Sequence, residues 1–389
     1  MENKTPAKRS HIGIIVETAF SPGRKVLRGA ARYAREHGDW LIFHQPRDPE
    51  SWMPALLRRW RCDGLIARIE KRSLRRLLGG LNVPVVNVLG TEPNPGDCLV
   101  TVDNREIGRM GAEHLLQRGL REFGFVGLRG VAWSAERRDA FCERVRFLGC
   151  RCRAYHVVSR HTDFTAWEAE LGRLGKWIAK LPRPCGIMVC NDLYGQSVLD
   201  ACRQVGVLVP EQIAVVGAGN DETICAICNP PLSTVDAGHL QVGYTAAEML
   251  HRLLKGEPAP GEPVRLRPVG VVTRQSTDIM AIEDPDVAMA VRFIHEKACG
   301  KLRVEDVAEF VAVSKSSLQR GFQEFLGRSV HDEISRVRID TACRLLAESD
   351  MTIGMIAQRT GFGHQAHMGV IFREKLGMTP GEYRKRASE

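Results

Sequence analysis

No stretch of the sequence approaches the ~18 consecutive apolar residues that a membrane-crossing helix needs, so neither a transmembrane span nor a membrane partner is expected. The N-terminus carries Lys4, Lys8 and Arg9, but the apolar stretch after them, Ile12–Val16, ends at Glu17. That is too short for a secretory signal, and a cytoplasmic protein is expected. Motifs that carry catalysis are missing as well: there is no GxxxxGK[ST], no HExxH and no GxSxG. His295-Glu296 lacks the second histidine of a metalloprotease. Gly217-x-Gly219 has Glu222 where a dinucleotide fingerprint needs its third glycine. The 12 cysteines fall at irregular spacing. Cys150-x-Cys152 and Cys225-x-x-Cys228 have no second pair or histidine pair at zinc-site distance, so they read as buried, reduced thiols. An enzyme, a metal site and a cofactor are therefore not expected.

Charge of one sign is also scarce where a nucleic-acid binder would be expected to show it. The formal charge is +9 over 389 residues. Yet residues 285–389 are nearly charge-balanced, and the excess lies upstream, in Arg58, Arg59, Arg61, Arg68, Lys71, Arg72, Arg75 and Arg76. That run reads as a solvated helical face. At this length two or three domains with substantial cores are expected.

What the chain does contain is one device written twice near its end. In the first copy Val304, Val307, Ala308 and Val311 fall at helical spacing, and after a break at Ala312–Lys315 the period resumes with Leu318, Phe322 and Phe325. Ser316 followed by Gln319 reads as a capping box, which would start the second helix at Ser316. The second copy has Ile353, Ile356 and Ala357, a Gly361-Phe362-Gly363 turn, then Met368, Ile371, Phe372 and Leu376. Two short helices about a tight turn make a helix-turn-helix, whose second helix can enter a DNA major groove. Arg338, Ala342, Leu345 and Leu346 mark a connecting helix over about Asp332–Ala347, ~24 Å long. With its packed ends it can hold two recognition helices about one DNA turn apart, ~34 Å.

These landmarks, together with Gly377-x-Thr379-Pro380-x-x-Tyr383-Arg384, resemble the AraC/XylS family of transcription regulators from about Asp286 to Arg386. The partner so implied is double-stranded operator DNA, with RNA polymerase a further one. In the first reader, Ser316, Ser317, Gln319, Arg320 and Gln323 lie away from the apolar face, and Arg and Gln suit guanine and adenine edges. In the second, His364, Gln365 and His367 are exposed by the same logic. There Gly369 and Val370 stand in place of the polar-basic pair usual in the family, so phosphate and shape contacts are expected to dominate.

Upstream, short apolar strands alternate with helices from His11 onward, which argues for parallel, doubly wound sheets. The expected organisation is a flexible N-terminus (1–10), a two-lobed sensor (11–278, lobe boundaries near 118 and 236), a linker (279–285) and an all-α reader (286–389). The reader's helix-turn-helix motifs span 304–326 and 353–376. A helix at about Arg105–Gln117 is taken to close the first lobe.

Val102-Asp103-Asn104 heading the Gly108…His114-Leu115 helix, Ser134-x-x-Arg137-x-x-x-Phe141, Cys190-Asn191-Asp192, and Val216-Gly217 leading to Pro230-Pro231-Leu232 resemble the sugar-sensing part of LacI-type regulators, which shares its fold with periplasmic sugar-binding proteins. A LacI-type sensor joined to an AraC-type reader resembles the xylose operon regulators of enteric bacteria. The resemblance implies a monosaccharide effector, a pentose and D-xylose first, and a homodimer that activates sugar-use genes. A sensor for another carbohydrate and a constitutive DNA binder with a silent sensor are the alternatives.

A sugar is held by forked donors, paired acceptors and aromatic faces. Arg137 and Asn191 are expected to contact it, opposite Asp103 and the Phe20–Arg24 turn. Phe20 and Trp133 either stack on it or pack. Asp192 either contacts the ligand or caps a helix beginning at Leu193. Related regulators commonly carry Asp where this chain has Gly219; either Asn220 or Asp221 takes over that contact, or the sugar is held differently.

Overall fold

A computed structural model describes residues 9–37, 40–44, 62–90, 98–157, 164–278, 284–349 and 351–388. Arg58, Arg59, Arg61, most of the N-terminal segment 1–10 and most of the linker 279–285 lie outside the described residues. The chain divides into two compact units, Met1–Ile279 and Met280–Glu389.

The first unit contains two six-stranded sheets. Strand β1 (Ser10–Ile15), helix α1 (Ser21–His37), β2 (Trp40–His44), β3 (Gly64–Ala67), α2 (Arg72–Gly79), β4 (Val85–Val88) and β5 (Cys98–Val102) build lobe 1. Lobe 2 follows with α3 (Asn104–Leu116), β6 (Glu122–Leu128), α4 (Ala132–Phe147), β7 (Arg151–Val157), α5 (Phe164–Ala179), β8 (Cys185–Val189), α6 (Asp192–Gln204), β9 (Ile213–Ala218), α7 (Glu222–Ile227) and β10 (Ser233–Asp236). Helix α8 (His239–Leu254) and strand β11 (Val264–Leu266) return to lobe 1, and β12 (Gly270–Val272) closes lobe 2. The sheet orders, β11-β5-β4-β3-β1-β2 and β12-β10-β9-β8-β6-β7, repeat one topology. Every pairing is parallel except β10 with β12. Strands β3, β8 and β9 are apolar throughout, and β3, β5, β8 and β9 are buried at every residue, as sheets covered on both faces require.

Three crossings connect the lobes. The first lies at Asp103, not near 118: α3 packs on α4 and on the sheet of lobe 2 through Ile107, Ala112 and Leu115, all fully buried. That sheet offers its apolar face to α3, which the ending of β5 leaves free to cross. The second crossing is Ala237-Gly238, where Gly238 sits at φ 76°. The third joins β11 to β12. Asp103 N–H donates to Leu266 O (2.8 Å) and Val269 N–H to Asp236 O (2.9 Å), so the three crossings are laced together. On lobe 1, α1 and α8 pack closely at two glycines: a Cβ at Gly29 would lie 2.0 Å from Leu240 O, and one at Gly243 2.0 Å from Val26 O. In α2, Leu74 and Leu78 are buried and Lys71, Arg72 and Arg76 are exposed, so this part of the basic run is a solvated face.

The second unit is helical: α9 (Pro285–Lys297), α10 (Val304–Phe310), α11 (Lys315–Leu326), α12 (Val330–Glu348), α13 (Ile353–Arg359), α14 (Gln365–Leu376) and α15 (Pro380–Ser388). The connecting helix α12 is longer than 332–347 because Ser329 and Asp332 close a reciprocal capping box ahead of it. The start of α11 also differs from expectation. Ser314, not Ser316, caps it, accepting from Ser317 N–H at 3.1 Å. Ser314 has the extended backbone a cap needs (φ −67°, ψ 149°), whereas Ser316 is already inside the helix. Arg338 of α12 donates to Ala298 O (2.8 Å) and Gly300 O (3.2 Å), satisfying carbonyls past the end of α9. Around the second motif Ile339, Ala342, Leu346, Ile356, Ala357, Phe362, Met368 and Phe372 form one core. Leu376, expected with them, is 36% exposed in the last turn of α14.

Candidate effector cleft and nucleic-acid interface

In open parallel sheets, ligand groups collect beyond the carboxyl ends of the strands. Asp103, Asn191, Asp192, Asn220 and Asp221 all occupy such ends, because each lies within three residues of the end of β5, β8 or β9. Lobe 1 reaches them through the first turn of α1. Arg24 Nη2 pairs with Asp221 Oδ2 at 3.4 Å, while Arg24 Nη1 donates to Thr18 O and Ala19 O. Lys25 Nζ donates to Asn220 O at 2.6 Å and to Gly219 O at 3.5 Å. These contacts hold the two lobes together over the cleft.

Arg137 is only 5% exposed. Its Nε donates to Asn104 Oδ1 (3.0 Å) and its Nη1 to Cys190 O (2.7 Å), and its guanidinium lies 4.9 Å from the Trp133 ring centre. Burial lowers its pKa to about 10, so it stays charged. Trp133 therefore packs as a cation–π partner of Arg137.

The capping assignment at β8–α6 is corrected. Asn191 is the cap, accepting from Tyr194 N–H at 3.1 Å, and α6 starts at Asp192. Asp192 is 3% exposed, and both its oxygens are taken: Thr234 Oγ1 donates to one (2.5 Å) and Asp221 N–H to the other (2.7 Å). Burial pushes its carboxyl up. Asp192 thus ties α6 to the β9–α7 loop, a role that sequence alone did not distinguish from ligand contact.

Asn220 sits at φ 53° and is 7% exposed. It donates to Asp236 Oδ2 (3.0 Å) and accepts from Arg274 Nη2 (3.0 Å). Asp221 and Asp103 are helix caps as well, of α7 and α3. Phe20 is 47% exposed beside the Arg24 turn. Sequence reasoning missed Lys25, Asn104, Arg68, His239 and Arg274. The available signal was their place just past a strand or at the first turn of a helix next to a lobe crossing.

The segment that leaves the sensor is pinned to lobe 2. Ser276 Oγ donates to Val215 O (2.6 Å), and Thr277 Oγ1 donates to Ser233 Oγ (2.7 Å). The His114 Nε2 lies 2.8 Å from Thr277 Oγ1, and Arg118 donates to Thr277 O and to His114 O. Burial drives the His114 pKa down to about 3, which leaves a neutral ring able to donate from Nε2.

In the second unit the candidate base-reading residues are all on the surface. Ser316, Ser317, Gln319, Arg320 and Gln323 are exposed on α11, while Leu318, Phe322 and Leu326 are buried behind them. His364 caps the start of α14 by position, and Gln365 and His367 are exposed on its first turn. His367 is also held in place, its Nδ1 lying 3.1 Å from Phe362 O. Val370 is 59% exposed. Among the described residues no helix is long and apolar enough to cross a membrane.

Two family descriptions match the chain, a periplasmic binding protein-like domain over residues 112–277 and a helix-turn-helix domain over 307–386. The xylose operon regulatory protein of Escherichia coli K12 is 30% identical over 392 residues, covering 98% of both chains. The chain belongs to the xylose operon regulatory protein family. The Haemophilus influenzae member is also 30% identical, over 93% of this chain and 94% of its own. A solved xylose-binding transcription activator superposes with a TM-score of 0.81 at 29% identity, covering 99% of this chain and 100% of the other. As a member of this family the chain is a transcription regulator in which a sugar-sensor fold precedes an AraC-type helix-turn-helix reader.

Proposed function

We propose that the chain is a D-xylose-responsive activator that works as a homodimer on operator DNA and recruits RNA polymerase. The observation that carries this reading is the cleft itself, closed by Arg24 and Lys25 across two lobes and lined by Arg137, in a chain that also bears two exposed recognition helices. Relatives of full length are named for xylose and for activation, and those names supply the effector and the direction of control.

Arg137 uses two of its five donors within the protein, and the others are assigned to adjacent sugar hydroxyls. Phe20, Arg24, Asp103, Asn191, Asn220 and Asp221 complete the rim, with Trp133 and Asp192 fixing the groups that touch the sugar. Sugar stabilises the closed pairing of the lobes. Because Ser276 and Thr277 are fixed to lobe 2, that closure is passed to the segment leading to the reader. Arg320, Gln319 and Gln323 read base edges in one major groove, with Ser316 and Ser317 on phosphates. His364, Gln365 and His367 engage the next groove.

Calorimetric titration with D-xylose and other pentoses, followed by operator binding with and without sugar by fluorescence anisotropy, tests the proposal. A pentose that binds and tightens operator binding supports it. Operator binding that is tight and indifferent to every sugar would instead assign a constitutive DNA binder.

A further inference from the structure

We infer that His239 is a specificity-determining residue of the effector site, the hydrogen-bonding group of lobe 1 for a hydroxyl-bearing and non-cationic carbohydrate, with Arg68 beside it. The inference rests on the carbohydrate-effector reading above and names the chemistry that the site selects.

His239 is the first residue of α8, directly after the crossing at Gly238, and it is 4% exposed. Its Nδ1 is buried without a hydrogen-bond partner among the described residues, and so is Arg68 Nε just past β3. Most buried polar atoms in folded proteins are paired, so two unmet nitrogens near each other at the carboxyl edge of one sheet point to an absent acceptor. The charged groups that act on His239 come from both sides of the cleft: Arg137, Lys25, Arg68 and Asp236. Arg137 is anchored on lobe 2 through Asn104 and Cys190, while His239 belongs to a lobe-1 helix, so the imidazole lies where the lobes meet.

Burial, with Arg137, Lys25 and Arg68 adding to it, drives the His239 pKa down to about 3. The ring is neutral at working pH and offers one N–H and one lone pair, as a sugar hydroxyl does. A hydroxyl can meet either. An ammonium group adds a like charge to those of Arg137, Lys25 and Arg68 around His239, and Asp236 is already engaged by Asn220 and Gly238. Neutral sugars and their acids satisfy the site, and amino sugars do not. The position at the crossing makes the contact conditional on closure, because Arg137 and His239 are carried on different lobes.

Full-length His239→Ala and His239→Gln proteins, titrated with D-xylose and with its 2-amino-2-deoxy analogue and melted without sugar, test the inference. His239→Ala is expected to bind D-xylose about tenfold or more weakly, and His239→Gln to recover part of that loss, since a carboxamide also donates and accepts. The sugar-free melting temperature should hold in His239→Gln, which keeps most of the buried volume, and fall in His239→Ala, which leaves a cavity where a 4% exposed ring was. At neutral pH the amino analogue should bind the parent at least about tenfold more weakly than D-xylose does. D-xylose binding by His239→Ala equal to the parent's overturns the inference, as does equal binding of the amino analogue. Equal loss in both variants, with the sugar-free melt lowered in His239→Gln as well, would make His239 a packing residue only, which also overturns it. A parent protein that binds no sugar at all is a different result: it removes the carbohydrate reading itself, and this inference with it.

Discussion

Gly219 stands where LacI-type regulators commonly carry a carboxylate, and its surroundings explain why none fits here. Its φ is 131°, and a Cβ built on it would lie 3.2 Å from Asp192 Oδ2. An aspartate there would be strained in backbone and would face a buried carboxyl whose pKa is already raised. Gly219→Asp should lower stability by ~2–4 kcal/mol, read as a lower urea midpoint at unchanged slope. A neutral or stabilising result would mean that the β9–α7 loop relaxes freely. Arg137 carries a second residue-scale expectation. Its hydrogen bonds to Asn104 and Cys190 make it part of the structure as well as of the rim. Arg137→Ala should therefore cost ~2–4 kcal/mol even without sugar, because two buried acceptors lose their donor. Thermal unfolding of the sugar-free protein checks this, and an unchanged midpoint would leave Arg137 with a ligand role alone.

Among the helices, α12 holds the two readers together, and one buried carboxylate does much to hold α12. Glu333 is fully buried and accepts from His295 Nε2 (3.1 Å) and Arg336 Nη2 (2.7 Å), with Arg328 Nε 2.6 Å away. Burial by itself would raise its pKa, but His295, Arg336 and Arg328 outweigh burial and hold it far below the usual carboxylate range. Glu333→Gln should destabilise the reader by ~3 kcal/mol at neutral pH, since it strands partly exposed cations around an uncharged amide. The sign with pH follows. A depressed folded pKa contributes stability that is present above the unfolded value of ~4.3 and is lost as pH falls toward the folded one. The gap between parent and variant in thermal midpoint should therefore shrink below about pH 4. A gap that is constant with pH would show that the carboxylate's charge is not what is lost.

For the whole molecule the testable claim is coupling. Lys25 donates from α1 to Gly219 O and Asn220 O, a contact made only when the lobes are together. Lys25→Ala should weaken D-xylose binding by ~5–30-fold, because less of the protein occupies the closed state. Linkage then requires the sugar concentration for half-maximal operator binding to rise by a similar factor, while sugar-free operator affinity stays put. Calorimetry and anisotropy on the same preparation measure the two. A shift in one without the other would mean that lobe closure does not reach the reader.

The amino-acid sequence by itself determined the architecture: two α/β lobes from short apolar strands alternating with helices, and two helix-turn-helix motifs from Ile356-Ala357, Gly361-Phe362 and their counterparts. Both signals are periodic and local, so they survive without knowing what packs on what. The exposed face of α11 was legible for the same reason, since Leu318 and Phe322 fix which side of the helix is buried. Only the tertiary structure decided which lobe α3 belongs to, because an amphipathic helix declares that it has a buried face and not which sheet will cover it. Helix starts were decided locally but between competitors, Ser314 over Ser316 and Asn191 over Asp192, by backbone conformation that residue type does not specify. The cleft was the least legible part. In sequence Arg137 reads as a ligand contact, Asp192 as either a ligand contact or a helix cap, and Arg68 as part of a solvated basic face, while His239 does not stand out. Whether a polar side chain is spent on the protein or left for a ligand depends on partners that lie tens of residues away, such as Thr234 for Asp192 and Asn104 for Arg137. Those distances are closed only by folding.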